Sequence, residues 1–138
     1  MKKLVMVFLC LILSVTGKVL AQDVQTGAGI LKFKELVHDY GEVPEGPRAE
    51  FDFVFKNKGS KPLVISDAVA GCGCTTTSWS HDPIFPGKKG KIHVIYNTLQ
   101  RPGNFTKQVT VKSNASEPVI VLQIKGTVIT TKDKVTKN

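Results

Sequence analysis

Apolar and polar residues alternate along Glu50-Phe51-Asp52-Phe53-Val54-Phe55-Lys56, which sets three phenylalanines on one face of a strand. The same period of two recurs over Lys91–Tyr96, where Ile92, Val94 and Tyr96 share a side. Phe105, Val109 and Val111 form a third apolar face, with Lys107 on that same side near its start. Ile120, Leu122, Ile124 and Val128 form a fourth. Leu63 and Ile65 head a further strand after Pro62, and Ile30 to Val37 make a weaker first one. Turn chemistry separates these runs at Tyr40-Gly41, Pro44-Glu45-Gly46, Asn57-Lys58-Gly59, Pro86-Gly87, Pro102-Gly103 and Asn114 to Pro118. No window sustains a helical period. About six or seven short strands, each with one apolar face, predict an all-β chain folded as an immunoglobulin-like β-sandwich. A small barrel would satisfy the same strand count.

Upstream of this pattern the composition changes. Met1-Lys2-Lys3 precedes an uncharged apolar run from Leu4 to Leu13, and small or β-branched residues lead to Val19-Leu20-Ala21. A basic start, a short apolar stretch and a small residue at the end describe a secretory leader over residues 1–21. The apolar run of ten residues is too short for a bilayer, which takes about 20. Cys10 lies inside the apolar run, whereas a lipid-acceptor cysteine belongs at the cleavage site. Residues 22–29 read as a flexible lead-in, 30–130 as the sandwich domain, and 131–138 as a charged C-terminal tail. An exported destination, periplasmic or extracellular, is therefore expected, with no stable membrane span once the leader is gone.

The leader contains three of the 19 basic residues and no acidic one, so the remainder carries 16 basic against 11 acidic residues, a charge of +5 rather than +8. The basic residues are spread along the chain without a run of five like charges or an arginine–aromatic stretch, which argues against nucleic acid as a partner. Removing the leader also reduces three cysteines to two, Cys72 and Cys74, separated by one glycine. In an oxidising compartment two cysteines point to one disulfide. Residues two apart in a strand are about 7 Å apart at Cα, beyond the reach of a disulfide, so a bridge requires the chain to fold tightly at Gly73. Three readings stay open: a local structural disulfide, a labile thiol pair for exchange or sensing, and a soft-metal site for copper or zinc. Additional metal ligands would have to come from His38, His81 or His93, and His81, in the loop after the cysteines, is the best placed of them.

The motifs in order are His38-Asp39-Tyr40-Gly41-Glu42-Val43, Phe53 to Gly59, Pro62 to Ile65, Cys72-Gly73-Cys74-Thr75, Pro83 to Gly87 and Gly90-Lys91-Ile92. Their order and spacing resemble the bacterial exported family called domain of unknown function 1573, marked by a Cys-Gly-Cys-Thr signature, over about residues 31 to 128. That family is similar to immunoglobulin-like modules of the Hydin and major-sperm-protein type, which bind or scaffold other proteins. The resemblance implies the sandwich already read from the pattern, and it implies no established activity.

The chemistry-bearing residues offer little for catalysis. Ser80-His81-Asp82 are neighbours in sequence, which does not supply the geometry of a catalytic triad, and no phosphate loop or paired carboxylates accompany them. No cofactor is specified by any pattern in the chain. Trp79 is read either as a lid over one end of the core or as an exposed recognition aromatic. With Thr75 and His81 it outlines a possible partner-binding loop. The expected function is a non-enzymatic, exported module that binds or scaffolds another envelope protein through a sheet edge or this loop. A thiol-redox or copper- or zinc-binding protein using Cys72 and Cys74 is the alternative.

Overall fold

The computed structural model describes residues 28–130. The leader over 1–21, residues 22–27 of the lead-in and the tail over 131–138 lie outside the described residues. Eight strands follow one another: β1 (Leu31–Phe33), β2 (Val37–Pro44), β3 (Arg48–Asn57), β4 (Ile65–Ala70), β5 (Thr75–Trp79), β6 (Lys89–Asn97), β7 (Gly103–Ser113) and β8 (Val119–Ile129). They form two four-stranded sheets, ordered β1-β3-β6-β5 and β2-β8-β7-β4. Two separate sheets facing each other make a sandwich, so the barrel that the strand count also allowed is not the fold. Among the described residues no helix is long and apolar enough to cross a membrane.

The alternating faces read from the sequence meet in the core. Phe53, Ile92, Val94, Val109, Val111, Leu122 and Ile124 are all fully buried. Complete burial of each such side chain contributes about 1.5–3 kcal/mol relative to exposure. The two sheets are joined by ring contacts, with Tyr96 of β6 stacked on Phe105 of β7 at a centroid distance of 4.2 Å. A glycine stands opposite an aromatic ring in each sheet, Gly90 opposite Phe55 and Gly126 opposite Phe105. A Cβ on Gly90 would lie 2.5 Å from Phe55 Cζ, so the ring occupies the space that a side chain would need.

Three local expectations change. The run from Ile30 to Val37 is not one strand. It contributes β1 to one sheet and the first residue of β2 to the other, and the chain crosses between them at Lys34–Leu36. Tyr40-Gly41 is not a chain reversal but a bulge inside β2, where the register to β8 shifts between Asp39 and Glu42. Gly41 takes a φ of 62° there, and its N–H donates to Asp39 Oδ1 at 2.9 Å. Those are the same residue preferences that make a turn, so the sequence signal for the two is shared. Thr75–Trp79, placed in a loop on sequence grounds, is strand β5, and it brings the count to eight.

Polar side chains hold the ends of the sandwich together. Asn57, fully buried, accepts from Ile30 N (3.2 Å) and Gly59 N (2.9 Å) and donates to the carbonyls of Lys61 and Ile84, both at 2.8 Å. Ala28 and Gly29, the last two residues of the expected lead-in, are tied down at this end. Ser60 N donates to Ala28 O (3.1 Å) and Ser116 N to Gly29 O (2.9 Å). At the other end buried Thr98 donates to Pro44 O and Pro47 O and accepts from Gly46 N (3.0 Å).

Tyr40 is the exception to this satisfaction. Its hydroxyl is buried without a hydrogen-bond partner among the described residues. Burial, with the Glu50 carboxylate nearby, pushes its pKa up to about 12. A raised pKa on the folded side means that the unfolded chain ionises first, so stability should fall as pH rises from about 10 towards 12. We expect Tyr40→Phe to match or exceed wild-type stability at neutral pH, because it removes an orphaned hydroxyl, and to lose less on alkaline titration. Chemical denaturation at neutral and alkaline pH checks both parts.

Candidate functional site

Strands β4 and β5 are the adjacent edges of the two sheets, and residues 71–74 link them. Cys72 and Cys74 lie in this link and are joined as a disulfide with their Cα atoms 5.3 Å apart. A turn brings them together: Thr75 N donates to Cys72 O at 3.3 Å, shortening the roughly 7 Å of extended chain. Gly73 stands at the turn's outer position, where a Cβ would meet nothing within 4 Å. Buried Thr75 places its hydroxyl 3.6 Å from Cys72 Sγ and 3.8 Å from Cys74 Sγ.

The remaining candidates separate. Trp79 is half-buried against the core, and its indole N–H donates to Ile65 O at 3.2 Å. That is the lid position over the sandwich. His81 is exposed and packs edge-on against Trp79 at a centroid distance of 5.2 Å. Among the described residues no three His, Cys, Asp or Glu side chains converge as metal ligands would, so His81 is not gathered with Cys72 and Cys74. Ser80 donates to Asp82 Oδ2 at 3.1 Å, so His81 does not stand between them. His93 lies on the outer face of its sheet with Nδ1 2.6 Å from Asp52 Oδ1. Hydrogen bonds from Lys91 and then His93 hold the Asp52 carboxyl below its usual pKa. His38 stacks on Phe51 at 3.5 Å and belongs to the aromatic cluster at the margin of the core.

Three of the four sheet edges are protected. Thr77 Oγ1 donates to Ala68 O and Trp79 Nε1 to Ile65 O, so side chains of β5 cap outward carbonyls of β4. On the opposite flank β1 is three residues long, and β2 contains the bulge and ends in Pro44. Short, bulged and capped strands are the ways in which sheet edges resist pairing with another chain.

What stays open is the loop end. A groove of about 530 Å³ lies beside the disulfide, over the ends of three adjacent strands: Arg48 pairs with Asn97 and Thr76 with Ile95, and Gly73, Cys74 and Leu99 border them. Thr98 fixes the chain just after β6 through Pro44, Gly46 and Pro47, and Leu99 beyond it is 53% exposed. Arg48 and Leu99 were not among the candidates read from the sequence. The one signal for Leu99 is a large apolar residue inside the polar stretch Asn97 to Arg101.

A family model described as "Protein of unknown function (DUF1573)" matches residues 31–128. No curated protein matches the chain. Similar solved structures include a protein of unknown function from Porphyromonas gingivalis W83, with a TM-score of 0.63 and 15% identity over 72% of this chain and 47% of that one. The VesB protease of Vibrio cholerae is similar with a TM-score of 0.59 and 11% identity, covering 73% of this chain and 32% of the protease. PapD-like domain 7 of human CEP192 gives a TM-score of 0.58 and 10% identity, covering 75% and 88%. The chain thus spans less than half the length of the first two, and at these identities the likeness concerns the fold alone.

Proposed function

The chain belongs to the DUF1573 family, and from that premise we propose that it is an exported, non-enzymatic immunoglobulin-like module that binds another protein of the cell envelope through its disulfide-bearing loop end. The groove beside Cys74 is the observation that carries this reading. Its lining comes from the paired ends of β3, β6 and β5, and the chain beside them is fixed by the Cys72–Cys74 bridge and by Thr98, so little ordering remains to be lost on binding. Leu99 supplies an exposed apolar anchor, and Arg48 a planar donor lining the same groove. The capped and bulged edges favour this loop end over strand addition.

A photo-crosslinking residue at Thr76, expressed in the native host, is expected to capture one discrete envelope protein. Leu99→Asp in the same chain should reduce that adduct about tenfold or more, since it removes the apolar anchor and buries a charge. Its thermal midpoint should stay close to wild type, because Leu99 is exposed. No adduct, or one indifferent to Leu99→Asp, counts against the reading. Fractionation with N-terminal sequencing tests export, and the expected new terminus is Gln22.

A second reading is favoured by one contact. Thr75 holds a hydroxyl near both sulfurs, where it can donate to a thiolate released on reduction. Intact mass before and after mild reductant, with metal content measured alongside, separates the two. A bridge that equilibrates near the compartment's redox poise supports thiol exchange, and a silent, stable bridge removes it.

A further inference from the structure

The outer face of the β1-β3-β6-β5 sheet is unevenly charged. Lys32 of β1, Lys56 of β3 and Lys89 of β6 stand directly opposite one another across three adjacent strands. Lys58 and Lys88 continue from the same strand ends, and Lys34 follows β1. Like charges placed directly opposite in a sheet destabilise it. Among the described residues none of these six lysines forms an ion pair, whereas Lys91, one row further along, is paired to Asp52 at 2.7 Å. Protection of a sheet edge accounts for Lys32 and Lys34 on the edge strand. It does not account for Lys56 or Lys89, which lie on the interior strands β3 and β6.

An exposed aromatic is fixed beside this charge. Phe85, 58% exposed, opens a turn closed by Lys88 N donating to Phe85 O at 3.0 Å. Gly87 N donates to Asn57 O at 2.8 Å, which pins the turn to the end of β3 between Lys56 and Lys58. Ile30, 44% exposed, lies at the same end, its carbonyl accepting from Lys58 N. Two acidic groups lie towards this end, Asp82, which shares a depression with Phe85, Lys88 and Lys89 and accepts from Ser80, and Glu35, 3.7 Å from His38, so the six lysines outnumber them.

We propose that this lysine-rich end of the sandwich docks on an anionic lipid bilayer, with Phe85 entering the interface and the lysines facing the headgroups. An acidic polypeptide or polysaccharide would need the lysines only. A rigidly held apolar tip beside a cluster of cations is what a bilayer interface, apolar below and anionic above, takes up. The surface lies at the opposite end from the Leu99 groove, so the two can be tested apart.

The experiment is co-sedimentation of the full chain with vesicles of phosphatidylglycerol and phosphatidylcholine, against phosphatidylcholine alone, at low and high salt. Residues 1–27 are common to all variants, so differences between variants report on the described face. Wild type is expected to prefer the anionic vesicles, and salt should weaken the preference. The combined variant Lys32→Gln, Lys56→Gln, Lys89→Gln should reduce partitioning about 100-fold, at about fivefold for each lysine. Phe85→Ser should cost about tenfold, and Leu99→Asp should cost nothing. The triple variant relieves like-charge opposition, so its thermal midpoint should hold or rise; if it nevertheless fails to fold, Lys56→Gln alone should show the fivefold step. Equal partitioning onto neutral vesicles would overturn the proposal, as would indifference to the lysine variants. Binding to polyglutamate without binding to vesicles would overturn it in favour of an acidic polymer.

Discussion

Asn57→Ala is expected to lower the unfolding free energy by about 3–5 kcal/mol, from a total that for such domains is about 5–15. The amide makes four hydrogen bonds, to Ile30 N, Gly59 N, Lys61 O and Ile84 O, and alanine leaves all four backbone groups without it. A buried group left unsatisfied costs about 1–3 kcal/mol, and only the bond to Ile84 is fully buried, so water recovers part of the other three. Three segments lose their tie together: the start of β1, the 57–61 turn and the approach to β6. Asn57→Asp is the informative companion. It keeps the acceptor but loses both donors and buries a charge, so it should be at least as damaging at neutral pH. It should recover partially in acid, where the protonated carboxyl can donate once. Urea denaturation of both variants at neutral and acid pH checks the sign as well as the size.

Gly90→Ala carries the second largest effect, about 2–3 kcal/mol. The new methyl would stand 2.5 Å from Phe55 Cζ and 2.9 Å from Cε2, and the ring has nowhere to go, because it is buried and edge-packed on Phe33 at 5.3 Å. The repair follows from the cause. Phe55→Leu alone destabilises by opening space, but in the Gly90→Ala background it should cost much less, with a coupling of about 1 kcal/mol or more. Additive losses in the double variant would mean that the ring does not fill the glycine's space.

The faces of β3, β6, β7 and β8 were legible because a period of two needs no tertiary information. Phe53, Ile92, Val109 and Leu122 declare themselves by their neighbours alone. Where the reading failed, one residue type served two structures. Asp39-Tyr40-Gly41 makes a bulge from turn chemistry, and Asn57-Lys58-Gly59 is a turn whose first residue is also the buried polar centre of that end. Nothing local distinguishes an asparagine that only caps its own turn, here through Gly59 and Lys61, from one that two distant backbone groups, Ile30 N and Ile84 O, also require. The candidate site divides in the same way. Cys72 and Cys74 are visible as a pair, and their turn closes within four residues. Leu99 and Arg48 come together because β3 pairs with β6 with Arg48 opposite Asn97, across about fifty residues of sequence. The lysine row needed the register of two strand pairs before Lys32, Lys56 and Lys89 could be seen as neighbours.

The parallel pairing of β2 with β8 has a mechanical meaning. These strands lie near the two ends of the domain and run the same way, so a pull that separates the chain's ends slides one strand along the other. Their hydrogen bonds are then stretched in shear and must yield together, whereas an antiparallel hairpin pulled at its open end unzips one bond at a time. A module anchored at one end and gripped at the other would resist tension across the seam that closes its second sheet.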